Sequence, residues 1–363
     1  MDTRIYWFVA VFSYIVQTKG LAHLQSLAQD HEKPDSEHQG LAVFLAFIYF
    51  VPWLLLAPCL RLLSYFDSRP ASPVLRALDN ETLPAMASLR KNDLFSRFSY
   101  VIKLSTLALL VLVAVFTYMS SLSLTPAFDV SLIQNTSIFE ITTLLYGVCG
   151  LARRKNVFRN FCIMMVALVG ILLVSYTKAT CDLLAGKYSV NQKTGELNDP
   201  FLFDRLKSAL LCGLGALTLG PVAVLWNRWF DYSDRTTFSH QCVHLTLIAS
   251  LCMAGLLPFL PNALSSLAKG PTGRAFWLEI LATLLFGTFP HLISVLQLHR
   301  YTQPAYCTTV NLGAIIFMGI SDWICEPTQT TIVRWEVIGY IMLSVSCVVL
   351  SVTYYDRKRI SKV

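Results

Sequence analysis

The residues best able to do chemistry lie in an apolar stretch running from Ser123 to Leu151. At 100° per residue, Asp129, Thr136, Glu140 and Thr143 fall within about 40° either side of one line. An acidic side chain at the centre of a membrane helix costs about 2.5–3.5 kcal/mol on insertion scales, so two carboxylates on one stripe would not face lipid. The stripe is therefore expected to line a central cavity, with one carboxylate binding a cation or substrate, or taking up protons. The plainer alternative lets Asp129 snorkel from a cytoplasmic mouth and pairs Glu140 with a neighbouring hydroxyl or histidine. Gln134 and Asn135 point elsewhere and are expected to bond between helices.

Further along, His291 follows Pro290, which frees a backbone carbonyl near a kink. A histidine there could titrate, bond a substrate or serve as a satisfied packing group. Asn311 is a candidate hydrogen-bonder in the ninth apolar stretch, and Glu279 is a weaker candidate near the end of the eighth, where interfacial placement is the simpler reading. His240 and His244 share a face at i, i+4 with no third ligand nearby, so no metal is expected. The zinc-protease, P-loop, nucleophile-elbow and dinucleotide motifs are all missing, so neither an enzyme nor a cofactor is expected.

The elements that must position these groups follow from composition. The chain has 363 residues, 55% hydrophobic and only 14% charged. A soluble domain carries about 25% charged residues, and here the apolar residues come in blocks rather than stripes. Blocks of about 20 residues span a hydrocarbon core, which makes this an all-α polytopic membrane protein and excludes a soluble enzyme or a nucleic-acid binder. Ten spans are expected, from a short first one at Arg4–Gln17 to the last at Val333–Tyr355. The ten cysteines include no C-x-x-C pair and read as small core residues.

The net charge of +7 is better read as an orientation signal than as a sign of an acidic partner. With the termini and the even-numbered loops on one side, 17 basic residues oppose 10, which places both termini in the cytoplasm. Asn80-Glu81-Thr82 is a glycosylation sequon that this orientation keeps unmodified. The polar stretch 181–204 is expected to be a lumenal linker between five-helix repeats at 1–180 and 205–356, with a basic tail at 357–363.

Two spans open alike after short turns, at Leu124-Thr125-Pro126-Ala127-Phe128 and Thr302-Gln303-Pro304-Ala305-Tyr306. An odd number of spans per repeat makes the halves inverted. In these residues and this plan the chain resembles the drug/metabolite transporter superfamily, with its EamA-like repeats. Asp129-Val130-Ser131 with Asn135-Thr136-Ser137 and Phe139, and then Val169-Gly170-Ile171-Leu172-Leu173-Val174, is similar to the F branch of the solute carrier 35 transporters. The resemblance implies alternating access by rocking of two inverted halves.

The expectation is secondary-active transport of a small polar solute across an endomembrane such as the Golgi, ER or vacuole. Acids outnumber bases inside the spans, which favours a cationic or neutral solute, with proton coupling through Glu140. Nucleotide-sugar exchange is the alternative, and a non-transporting membrane scaffold or sensor is the reading from a different class. The expected partners are the lipid bilayer and the small-molecule solute, with no nucleic acid and with a homodimer left open.

Overall fold

The computed structural model describes residues 3–29, 38–66, 93–148, 154–184, 189–190, 197–198, 202–230, 235–256, 274–302, 304–325 and 334–360. In chain order the elements are α1 (Thr3–Gln29), α2 (His38–Phe66), α3 (Asp93–Leu122), α4 (Ala127–Val148) and α5 (Arg154–Leu184). A minimal antiparallel ribbon follows, made of β1 (Ser189–Val190) and β2 (Leu197–Asn198). The chain continues with α6 (Leu202–Trp229), α7 (Arg235–Leu256), α8 (Arg274–Ala282), a π-helical turn (Thr283–Thr288), α9 (Phe289–Tyr301), α10 (Pro304–Cys325) and α11 (Arg334–Ile360).

Two tight turns show why the helices begin and end where they do. After α3, the backbone N–H groups of Leu124 and Thr125 both bond the Ser121 carbonyl. The Pro126 carbonyl then accepts from Asp129 and Val130, so Pro126 caps α4. At the second turn Thr302 is extended and its N–H closes α9 on the Leu298 carbonyl at 2.8 Å, and Pro304 opens α10. Pro52 and Pro58 sit inside α2 and Pro221 inside α6 without ending either helix, as neighbouring helices in a membrane bundle permit.

The all-helical membrane architecture holds, but the expected ten spans in two inverted five-helix repeats do not. Among the described residues six helices are long and apolar enough to cross a membrane, and Phe44–Leu56 and Phe161–Thr177 are shorter apolar helices. In α7, His240, Gln241 and His244 interrupt the apolar run. Nor do the buried residues divide into two halves. One core takes Leu24, Leu56, Leu107, Leu245 and Ile280; the other takes Val11, Phe139, Val174, Leu312 and Leu343. Each is built from helices at both ends of the chain.

Outward faces are apolar as well. On α11, Trp335, Ile338, Ile341, Val345, Val348 and Val352 are exposed at helical spacing, and on α6 so are Leu206, Leu210, Leu214 and Leu217. A soluble protein would not present such stripes to water; in a multi-pass membrane protein they meet lipid.

Candidate functional site

The helix that organises the centre is α1, whose first part was expected to be a short span ending at Gln17. It runs on to Gln29, and Thr3–Ser26 qualifies as a membrane span. Its polar residues beyond Gln17 hid this, because they read as the start of a loop. Three of them have partners within the bundle. The Thr18 hydroxyl donates to the Tyr14 carbonyl at 2.8 Å, Gln25 donates to the Met119 carbonyl at 2.9 Å, and Lys19 pairs with Asp322 on α10 at 2.9 Å. Its N-terminal turns bury Ala10, Val11 and Ile15 in one core, and its C-terminal turns bury Leu21 and Leu24 in the other.

Close contact between α1 and the π-helical turn rests on small residues. A Cβ on Gly287 would sit 2.8 Å from the Gln17 backbone, and one on Gly20 would meet the Thr283 hydroxyl. The π-turn has a local cause. Pro290 has no N–H to give, and the register shifts so that the Phe289 N–H bonds the Leu284 carbonyl, five residues back. His291 follows directly, and its Nδ1 lies 2.9 Å from the Ala10 carbonyl of α1. A carbonyl only accepts, so Nδ1 carries the proton and donates.

Beside these groups is a cavity of about 220 Å³ walled by α1, α2, α3, α4, α6, α9 and α10. Its wall is mostly apolar, with polar contributions from Tyr14, Gln17, Gln134, Asn135, His291 and Asn311. Part of this polar set is internally bonded. Asn135 donates to the Tyr14 hydroxyl at 2.9 Å and to the Ser131 carbonyl at 2.8 Å, and the Tyr118 hydroxyl donates to Thr18 at 2.8 Å. Gln17 Oε1 and Trp53 Nε1 are buried wall atoms with no hydrogen-bond partner among the described residues.

The sequence-based candidates divide. Gln134, Asn135, His291 and Asn311 stand on the cavity wall. The stripe of Asp129, Thr136, Glu140 and Thr143 does not contribute to that wall; all four are half-buried on α4, whose cavity-facing residues are Gln134, Asn135, Ile138 and Thr142. The helical repeat by itself puts the acids on one face of α4. It carried no information on which face the neighbouring helices would enclose, and the choice went to the amide-bearing one. Thr136 is bonded within its own helix, to the Leu132 carbonyl at 2.6 Å. Glu279 pairs with His23 of α1, a partner 256 residues away.

Several wall residues were missed altogether. Tyr14, Gln17, Tyr49, Trp53, Tyr118 and His299 lie within apolar runs where aromatic and amide residues read as packing. His240 and His244 stack on one face, and His244 bonds the Tyr100 hydroxyl at 3.1 Å. Among the described residues no cluster of three or more potential metal ligands occurs. The Asn80 sequon lies outside the described residues.

The family described as CSG2, ceramide synthase regulator, matches residues 1–354. The chain is 47% identical to the mannosyl phosphorylinositol ceramide synthase regulatory protein CSG2 of Saccharomyces cerevisiae, over 99% of both chains. Its fold is also similar to a solved crystal structure of a protein, with a TM-score of 0.53 and 12% identity over 98% of both chains. The family match overturns the resemblance to the drug/metabolite and solute carrier 35 transporters, and with it the expectation of solute transport. One of the motifs that carried the resemblance, Thr125-Pro126-Ala127, is a tight turn with a proline at a helix start. Any closely spaced helical pair can adopt that chemistry.

Proposed function

The chain belongs to the ceramide synthase regulator family, and from that premise we propose that it acts as a non-catalytic membrane regulator of a mannosyl phosphorylinositol ceramide synthase. The observation that carries the reading is the end-to-end 47% identity with the yeast regulatory protein. Of the functions weighed on sequence, this agrees with the non-transporting membrane scaffold or sensor. A regulator of a lipid-modifying enzyme works within a bilayer beside a protein partner, and the outward apolar stripes on α6 and α11 suit that setting. Sphingolipid synthesis also favours an endomembrane location. The 17-to-10 excess of basic residues supports cytoplasmic termini, and a glycan found on Asn80 would overturn that orientation.

The test is complementation. A Saccharomyces cerevisiae strain lacking its CSG2 regulatory protein, supplied with this chain, is expected to regain mannosylated inositol phosphorylceramide on lipid analysis. The synthase is expected to co-purify with the tagged chain in mild detergent. Unrestored lipid and no co-purification, with the chain present in membranes, would sink the reading.

A further inference from the structure

The central cavity holds a buried acceptor and a buried donor that the described residues leave open. Gln17 is 2% exposed and Trp53 is 7% exposed, both stand on the cavity wall, and Gln17 Oε1 and Trp53 Nε1 have no hydrogen-bond partner among the described residues. Buried polar groups in folded proteins are nearly always paired, so an orphan on a cavity wall needs an explanation. Two orphans of opposite hydrogen-bonding sense on one cavity define the complement they require.

We propose that this cavity is a binding site for an uncharged hydroxyl- or amide-bearing head group, which donates to Gln17 Oε1 and accepts from Trp53 Nε1. Three observations fix the class. No Asp, Glu, Lys or Arg is found among the described wall residues, and an unpaired charge placed in so apolar a space is strongly disfavoured. The donor and acceptor are both neutral, so the complement is an alcohol or an amide, groups that can give and take a hydrogen bond at once. The cavity of about 220 Å³ is smaller than the roughly 300–1,000 Å³ of sites that enclose a drug-sized ligand. It therefore accommodates a head group and not a whole lipid.

An amide flanked by hydroxyls is the head of a ceramide-type lipid. Choosing that source over a free polyol rests on the regulatory reading above, whereas the donor–acceptor chemistry stands without it. Bound there, the head group would touch α1 and α2 together, since Gln17 and Trp53 lie on those helices. It would couple lipid occupancy to the packing of the central helix.

The experiment uses the full chain in phosphatidylcholine nanodiscs. A radiolabelled hexanoyl ceramide is the lipid probe and free inositol the soluble one, with a protonated long-chain amine as the charged control. Saturable ceramide binding is expected, weakened about tenfold in Gln17→Met and in Trp53→Phe, which corresponds to one hydrogen bond worth about 1.4 kcal/mol. Saturable inositol binding weakened by the same variants would support the site and assign its head group to a soluble source. Absence of saturable binding by both neutral probes, binding by both variants as tight as that of the unaltered chain, or tighter binding of the amine would overturn the proposal. Trp53→Phe keeps the aromatic packing and carries the test if Gln17→Met does not fold. A chain that restores the yeast lipid yet binds neither probe defeats this inference alone; one that binds but restores nothing defeats the regulatory reading alone.

Discussion

Gly287 lies against the backbone of Gln17 so closely that a Cβ there would stand 2.8 Å from both the Cα and the N of that residue. The obstacle is main chain, which cannot rotate away as a side-chain tip can. Gly287→Ala is therefore expected to push α1 from the π-helical turn and to destabilise the bundle by about 1–3 kcal/mol, the usual cost of overpacking. Thermal unfolding in detergent reads this directly, and an unchanged midpoint would contradict the close contact.

A second glycine contact gives an internal comparison. A Cβ on Gly339 of α11 would lie 2.7 Å from the Gly170 carbonyl of α5, whereas one on Gly213 of α6 meets nothing within 4 Å. Gly339→Ala should loosen the α5–α11 crossing. Gly213→Ala should leave stability unchanged or raise it by about 0.5–1 kcal/mol, because glycine costs a helix conformational entropy. Measured side by side, Gly339→Ala should lower the midpoint and Gly213→Ala should not.

Lys19 and Asp322 form a half-buried ion pair, with side chains 29% and 24% exposed. Pairs on open surface contribute about 0–1 kcal/mol, while breaking a fully buried one costs about 3–5 kcal/mol. Lys19→Met should fall between these limits, since it leaves Asp322 without its cation. A double-mutant cycle with Asp322→Asn should give a coupling of about 0.5–3 kcal/mol, as residues in direct contact do. Strict additivity would show that the pair holds nothing in place.

Asn135 donates to the Tyr14 hydroxyl at 2.9 Å, which bridges α4 to α1 across the cavity wall. Tyr14→Phe keeps the ring and removes the acceptor. The expected loss is about 1 kcal/mol, softened because Asn135 Nδ2 keeps the Ser131 carbonyl at 2.8 Å. Tyr14→Ala adds a cavity beside His291, whose ring centroid lies 5.4 Å away; its cost should be larger, about 3–5 kcal/mol by analogy with other aromatic truncations.

Some of the local structure was legible in residue order alone. The two tight turns are visible as Leu124-Thr125-Pro126 and Thr302-Gln303-Pro304, because proline lacks a donor and so suits a helix start. Pro290 marks a point where the regular helix cannot continue unchanged, but the π-turn from Thr283 to Thr288 that precedes it was not legible. The first helix was read about twelve residues short at its C-terminal end, since Thr18, Lys19 and Gln25 look like loop until their distant partners are known. The family was not legible in these short motifs, because hairpin chemistry is shared by unrelated helical bundles; matching the whole chain supplied it.

By itself, then, the sequence determined the class of protein: low charge and long apolar blocks leave only membrane helices, whose backbone groups are satisfied internally. It also determined which residues share a face of α4, since that depends only on the helical repeat. Tertiary structure alone decided that the face of Gln134 and Asn135, not that of Asp129 and Glu140, would line the cavity. It likewise decided that Trp7 would donate to Thr309 across 302 residues of chain. The physical reason is common to both. Local periodicity fixes directions within one helix, but which neighbour lies in a given direction depends on how all the helices pack at once.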